Sequence, residues 1–299
     1  ASTNFLPADF ASMPSGFEGS AIVQSGEPIK SIVNVTNRQS GALGVAGGKA
    51  AAQYQGIDQT KIGTPLYFPI AKGDSYSKTT TFYIQNADDT AATATAYFTM
   101  KNGDTHQYTT PSIGPGKMVL FSIFDSTTYN SSVANSGKVG AVKVDSSADL
   151  AGIVMEHFTS ENPATLAQST RGFTDADFDD KAFAPLVKFD RFSRSTGIQV
   201  QNVGSGPIDI LVTFYGFAGA CAGQTYSQSQ DDVQPGASAI FNQMPGQTPL
   251  PADCSASAEI KTTTAGGLIA ALVSESYQFD KVPATGQRSV TSYAIPADS

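Results

Sequence analysis

The sequence has no tryptophan, two cysteines and two histidines in 299 residues. Charged residues make up only 15%, well below the roughly 25% of ordinary globular chains. Each scarcity excludes something. Two cysteines with two distant histidines, His106 and His157, do not form a zinc site. Without tryptophan, the strongest stacking platform for a sugar ring is missing. The longest apolar run, LIAALV at Leu268–Val273, is far shorter than the roughly 20 residues that span a bilayer, so membrane insertion is not expected. No basic cluster occurs and the formal charge is −8, which makes nucleic acid and anionic membranes poor partners. There is no nucleophile elbow, P-loop or dinucleotide glycine fingerprint, so no enzyme is read here and no cofactor is implied.

Thr, Ser, Ala, Gly and Asn fill the place of the charges. Helix formers do not recur at 3.6-residue spacing. Instead, short alternating runs are separated by Gly, Pro, Asn, Asp and Ser, which is the pattern of antiparallel strands and turns. These runs recur in order. LYFPIAK (Leu66–Lys72) matches FAPLVKF (Phe183–Phe189), and FYIQN (Phe82–Asn86) matches IQVQN (Ile198–Asn202). IGPGKMVLF (Ile113–Phe121) matches VQPGASAIF (Val233–Phe241). The closing pairs Gly140–Phe158 and Ser257–Tyr277 follow. Copies are offset by 116 residues at Pro69 and Pro185, and by 120 at the Pro-Gly pairs, about one sandwich domain. Each repeat reads as about seven strands of an Ig-like β-sandwich. The opening strand carries a mid-strand proline, which cannot donate to a ladder, so it belongs at an edge or pairs only in part. The long connectors Asn37–Gly63 and Thr159–Lys181 each suggest one further short strand.

The order of these motifs resembles the tandem extracellular β-sandwich repeats of large bacterial surface proteins of the Chloroflexota type. That resemblance implies a cell-surface or secreted structural array with no catalytic residues to carry over. A single cysteine pair, confined to the second full repeat, departs from it.

Few side chains suggest chemistry. Cys221 and Cys254 read as a disulfide in an oxidising compartment, the alternative being two small buried thiols. Asp175, Asp177, Asp179 and Asp180 crowd one connector and offer hard oxygens to calcium. The alternative is a solvated acidic linker. Glu156 and His157 are strand neighbours and should face opposite ways. Tyr83, Tyr97, Tyr108, Phe214, Tyr215 and Tyr226 read mainly as core packing, with a polysaccharide-binding face as the other reading. Asn34–Thr36 and Asn130–Ser132 match the glycosylation sequon.

The expected fold is all-β: tandem Ig-like antiparallel sandwiches with partial repeats at both chain ends. Residues 1–62 are a partial repeat, closing strands plus linker, because ASTNF at the start resembles ASAIF after the second Pro-Gly turn. Residues 63–181 and 182–288 are full sandwiches. Residues 289–299 read as the opening strand of a further repeat. Its residues Tyr293, Ala294, Ile295 and Pro296 form an assembly strand that could be donated to a neighbour. Alternatively, the chain is a window of a longer repeat protein. The resulting function is structural and extracellular: self-association, head-to-tail, into a filament, sheath or surface layer. The alternative is an adhesion or carbohydrate-binding module.

Overall fold

The computed structural model describes residues 3, 5, 13–14, 17–36, 51–75, 78–122, 138–158, 165–277 and 290–295. A two-stranded sheet, β1 (Ile32–Thr36) and β2 (Ala51–Gln55), precedes two sandwiches of the same design. The first holds β3 (Leu66–Gly73), β4 (Lys78–Asn86), β5 (Ala94–Met100), β6 (Thr105–Thr109), β7 (Met118–Ser122), β8 (Lys138–Ser146), β9 (Leu150–Phe158) and β10 (Thr165–Arg171). The second holds β11 (Lys181–Phe189), β12 (Arg194–Asn202), β13 (Ile208–Gly219), β14 (Thr225–Val233), β15 (Ser238–Asn242), β16 (Cys254–Thr262), β17 (Ile269–Tyr277) and β18 (Val290–Ile295). Each has a four-stranded front sheet, β3-β8-β5-β6 or β11-β16-β13-β14. Each also has a four-stranded back sheet, β10-β9-β4-β7 or β18-β17-β12-β15. Strand for strand the two orders are the same, so the repeat in the sequence is a repeat of topology.

The alternation carries the sandwich. Along β5, Ala94, Ala96, Phe98 and Met100 point inward and are buried. Along β13, Ile208, Ile210, Val212 and Phe214 do the same. The prolines act as expected. β3 and β11 are edge strands, and their ladders slip between Phe68 and Ala71 and between Ala184 and Val187, on either side of Pro69 and Pro185.

The Gln-Asn pair has a definite task. Gly116 and Gly236 take φ of 67° and 78° in their Pro-Gly turns, a conformation that favours glycine. Each turn is clamped to the middle strand of its back sheet. The Gly116 amide donates to Asn86 O at 3.0 Å, and Gln85 Nε2 donates to Gly116 O at 3.2 Å. Gly236, Asn202 and Gln201 repeat both bonds at 2.9 and 3.0 Å. The buried Asn side chain then ties the neighbouring loops together. Asn86 Nδ2 donates to Thr90 O and Ile113 O at 2.7 and 2.8 Å. Asn202 Nδ2 donates to Gly206 O and Val233 O, both at 2.8 Å.

The two cores are filled differently. The first contains Phe68, Phe82, Phe98 and Phe121, with Phe82 stacked on Phe121 at 5.4 Å. Gly152 faces this cluster because a Cβ there would lie 2.8 Å from Leu66 Cδ1 and 3.0 Å from Phe68 Cζ. In the second repeat the positions matching Phe68 and Gly152 are Ala184 and Ala271, so one large side chain opposite glycine is replaced by two small ones. That core also contains the disulfide Cys221–Cys254, which ties the turn after β13 to the start of β16.

One sequence expectation is corrected. Val290–Ile295 is not an opening strand left over for donation. It is β18, paired antiparallel with β17 through Tyr293↔Val273, Ala294↔Leu272 and Ile295↔Ala271. It occupies the place of β10 in the first repeat, and β10 is the further short strand expected in the connector Thr159–Lys181, so each sandwich has eight strands. The physical reason is that β17, like β9, leaves an unpaired edge that a returning connector fills. Pro296 lies outside the described residues. At the other end, β1–β2 matches β9–β10: Gly56 N donates to Ser31 O at 2.9 Å just as Gly172 N donates to Gly152 O at 2.8 Å.

Asn202→Ala removes the buried bond to Val233 O and the half-buried bond to Gly206 O and should cost about 2–3 kcal/mol in chemical denaturation. Replacing both cysteines by alanine should lower the stability of the second sandwich by about 2–4 kcal/mol. An unchanged denaturation midpoint would contradict either assignment.

Candidate functional site

The feature that distinguishes this chain from independent beads is the contact between its two sandwiches. β3 is buried along its whole length. Its inward side fills the first core, and its outward side lies on the back sheet of the second repeat. Tyr67 packs in a cluster with Phe173, Val203 and Ala270, and its ring meets Phe178 edge-on at 5.2 Å. Leu272 of β17 joins the first repeat's core cluster together with Ile70. Ser238 Oγ donates to Pro69 O at 3.0 Å, an acceptor that the proline bulge leaves outside the ladder. Gln201 Nε2 reaches Val142 O of β8 at 3.4 Å. The middle strands of the second back sheet, β12 and the first half of β17, are therefore buried on both faces, which is why β17 opens with an unbroken apolar run.

Closing hairpins stack in the same direction. β2 lies beside β10, and β10 lies beside β18. Gln168 on β10 donates to Ser274 Oγ on β17 at 3.1 Å. Ahead of β1, residues 17–23 cross the back sheet of the first repeat. Ser20 Oγ donates to Gly116 O at 2.8 Å. Burial and the neighbouring Glu18 push the Tyr83 phenol up to about 12.

Charge centres of two kinds brace this arrangement. Glu156, 2% exposed, receives Lys72 at 2.6 Å and Lys78 at 3.3 Å. Glu275 repeats it with Lys188 at 2.8 Å and Arg194 at 3.3 Å. Burial pushes the Glu156 carboxyl up, but the two ammonium groups outweigh it and hold the group below its ordinary value. His157 faces away from this centre, as strand alternation requires, and burial lowers its pKa. The second centre is Asp177. Arg171 grips both its oxygens at 2.6 and 2.7 Å, Lys61 adds a contact at 2.6 Å, and the Thr174 amide donates at 3.1 Å. Here too the cations overcome the upward push of burial.

The calcium candidates do not come together. Asp177 is committed to Arg171 and Lys61, while Asp179 accepts from the Asp180 amide at 2.7 Å. Among the described residues no three acidic, His or Cys side chains converge on one point. The aromatics divide. Phe214 is buried, Tyr226 packs against the second core, and Tyr108 lies 5.4 Å from Phe121. Tyr97 and Tyr215 differ from the packing expectation by pointing outward, because they occupy the solvent-side positions of β5 and β13. His106 is on β6 beside Phe98, at 6.3 Å between rings. Asn34 accepts from Gln53 at 2.7 Å on the β1–β2 sheet, and Asn130 lies outside the described residues.

Comparison with known proteins adds little. No protein-family model matches the sequence, and no curated protein matches it. Among solved structures, the chain is weakly similar to the N-terminal CBM22-1–CBM22-2 tandem domain of Paenibacillus barcinonensis Xyn10C. Identity is 10% over 89% of this chain and 90% of that one, with a TM-score of 0.17. A likeness of that size carries no argument.

Because Glu156 and Asp177 are held below their ordinary values of 4.5 and 3.8, both stabilise the fold above those values. That stability is lost as pH falls through the lower folded values. The melting temperature should be level between pH 7 and about 5 and fall steeply below about 4. Glu156→Gln leaves Lys72 and Lys78 without their carboxylate and should cost about 3 kcal/mol at neutral pH. An equal melting temperature for the variant would contradict the role given to this centre.

Proposed function

We propose that this chain is a structural extracellular protein that associates with copies of itself into a filament, sheath or surface layer, of the kind carried by large surface proteins of Chloroflexota-type bacteria. The observation that carries this reading is the central pair of the second back sheet, β12 and the first half of β17, buried on one face by its own sandwich and on the other by the preceding one. Repeats that bury a sheet face in each other stack in a fixed direction, and stacking of that kind extends without limit unless something ends it.

Other features support the same reading. The disulfide Cys221–Cys254 fits an oxidising, extracellular setting. The buried ion clusters sit at the seams between elements, where they brace geometry. Both recurrent motifs, the proline bulge and the Gln-Asn clamp, serve the architecture. Strand donation by the tail is not part of this reading, since β18 is taken up within its own sandwich.

Negative-stain electron microscopy and light scattering of the purified chain across a concentration series test the reading. Ordered fibres or sheets, with a scattering mass that rises with concentration, are expected. Dispersed particles of single-chain mass at every concentration would overturn it.

A further inference from the structure

The hairpin β13–β14 is longer than its counterpart β5–β6. β13 has twelve residues and β14 nine, against seven and five. Phe98 pairs with Val142 and Phe214 with Ala258 at matching places in the two front sheets. So β5 stops at the position of Gly216, while β13 runs on through Gly219. The extension is firmly held. The Cys221–Cys254 disulfide staples its turn to β16. The Ala220 amide donates to Asp253 O and the Gly223 amide to Gly216 O, both at 2.9 Å. The turn folds back so closely that a Cβ on Gly216 would lie 2.0 Å from Cys221 O.

This frame carries aromatic rings on its outside. Tyr215 and Phe217 are 47% and 58% exposed, where the first repeat has Thr99 and Lys101. A third ring comes from the turn after β11. Phe192 is 74% exposed, with the Arg191 guanidinium over it at 4.7 Å. Arg191 also bonds Asp253 at 2.5 Å and lies 3.1 Å from where a Gly219 Cβ would be, which brings Phe192 to the end of the extension. Phe192 and Ser193 hold φ of 54° and 58°, a conformation that hairpin turns usually fill with Asn and Gly and that a bulky side chain resists. Strain of that kind clusters at ligand contacts.

The surroundings select the ligand. The charges beside the rings are paired with each other, Arg191 with Asp253. Tyr215 stands between Thr225 on β14 and Ser257 on β16, and Thr213 stands beside Ser227. Thr225 and Ser227 are exposed. Rings flanked by neutral hydroxyls suit a sugar, whose C–H face lies on an aromatic ring while its hydroxyls exchange hydrogen bonds at the rim. The formal charge of −8 disfavours an anionic polymer. The place also stays open in a stack of repeats. At the matching end of the first front sheet, residues 101–103 are exposed although the second repeat packs on that sandwich.

We propose that Tyr215, Phe217 and Phe192 form a binding platform for an uncharged polysaccharide, with Thr225 and Ser257 as hydrogen-bonding groups at its rim. The disulfide and the close-packed turn keep the rings in place before the ligand arrives, which lowers the ordering cost of binding. With phenylalanine and tyrosine in place of tryptophan, each contact is weak, and a polymer is held by several at once. This activity is additional to self-association and does not rest on it.

Native electrophoresis of the full chain, in gels cast with a soluble polysaccharide, tests the proposal. The neutral probes are hydroxyethyl cellulose, galactomannan and dextran. Polygalacturonate is the anionic control, and a plain gel gives the reference mobility. The wild type should be retarded by at least one neutral polymer and not by polygalacturonate. Phe217→Ala and Phe192→Ala should each need about ten-fold more polymer for the same retardation. Phe217→Tyr, which keeps a ring, should bind like the wild type. Thermal melts check folding, and their midpoints should not move, because both side chains are exposed. Retardation by none of the neutral polymers overturns the proposal. Retardation that the alanine variants leave unchanged overturns this site, and equal retardation by polygalacturonate overturns the neutral class of ligand. Sedimentation velocity without polysaccharide should give the same masses for variants and wild type. Association lost in Phe217→Ala would make this surface an interface between copies and overturn the proposal as well.

Discussion

Everything distinctive in this structure depends on burying one sheet twice. A sandwich needs only its inner faces covered. Here the back sheet of the second repeat is covered on its outer face as well, by Tyr67, Ile70 and the Pro69 carbonyl of the first. That contact requires β3 to be apolar on both sides, an edge strand, and bulged where it meets Ser238. The mid-strand proline supplies the last two properties. It cannot donate to a ladder, so it keeps β3 at the edge, and it frees a carbonyl to cross to the neighbouring repeat.

The remaining motifs hold this surface in shape. The Gln-Asn clamp fixes the Pro-Gly turn onto the back sheet, so the turn ends where the next element must pass. Gln201 both clamps its own turn and reaches Val142 of the neighbouring repeat. The Glu156 and Glu275 centres tie the end of the opening strand and the start of the next one to the closing strand β9 or β17 in each sandwich. Charges buried in this way are costly unless every partner is in place, which favours one arrangement over near alternatives. The second core, with fewer large side chains, has its disulfide at the end where β13 runs longest.

Much of this was legible in the sequence. The proline runs gave edge strands and bulges, and matching motifs gave two copies of one topology. Two things were not legible, for physical reasons. The tail reads like an opening strand because Ala294–Ile295–Pro296 shares a proline with Ala184–Pro185–Leu186. Its pairing is set by the open edge of β17, which no local pattern reports. The interface was hidden because Gln199 and Gln201 alternate with Ile198 and Val200, the signature of a solvent-facing side, yet both glutamines are buried against the neighbouring sandwich. A signal did exist: β3, β9, β11 and β17 all lack alternation. In β3 and in the first half of β17 the unbroken apolar run marks burial on both faces.

Hydroxyl-radical footprinting of the chain, dispersed and then concentrated, tests the central claim most directly. The account predicts that Tyr67 and Ile70 are protected in both states. Phe183, the equivalent of Tyr67 on β11 and 46% exposed, should be labelled in the dispersed state. Labelling of Tyr67 as strong as that of Phe183 in the dispersed chain would contradict it.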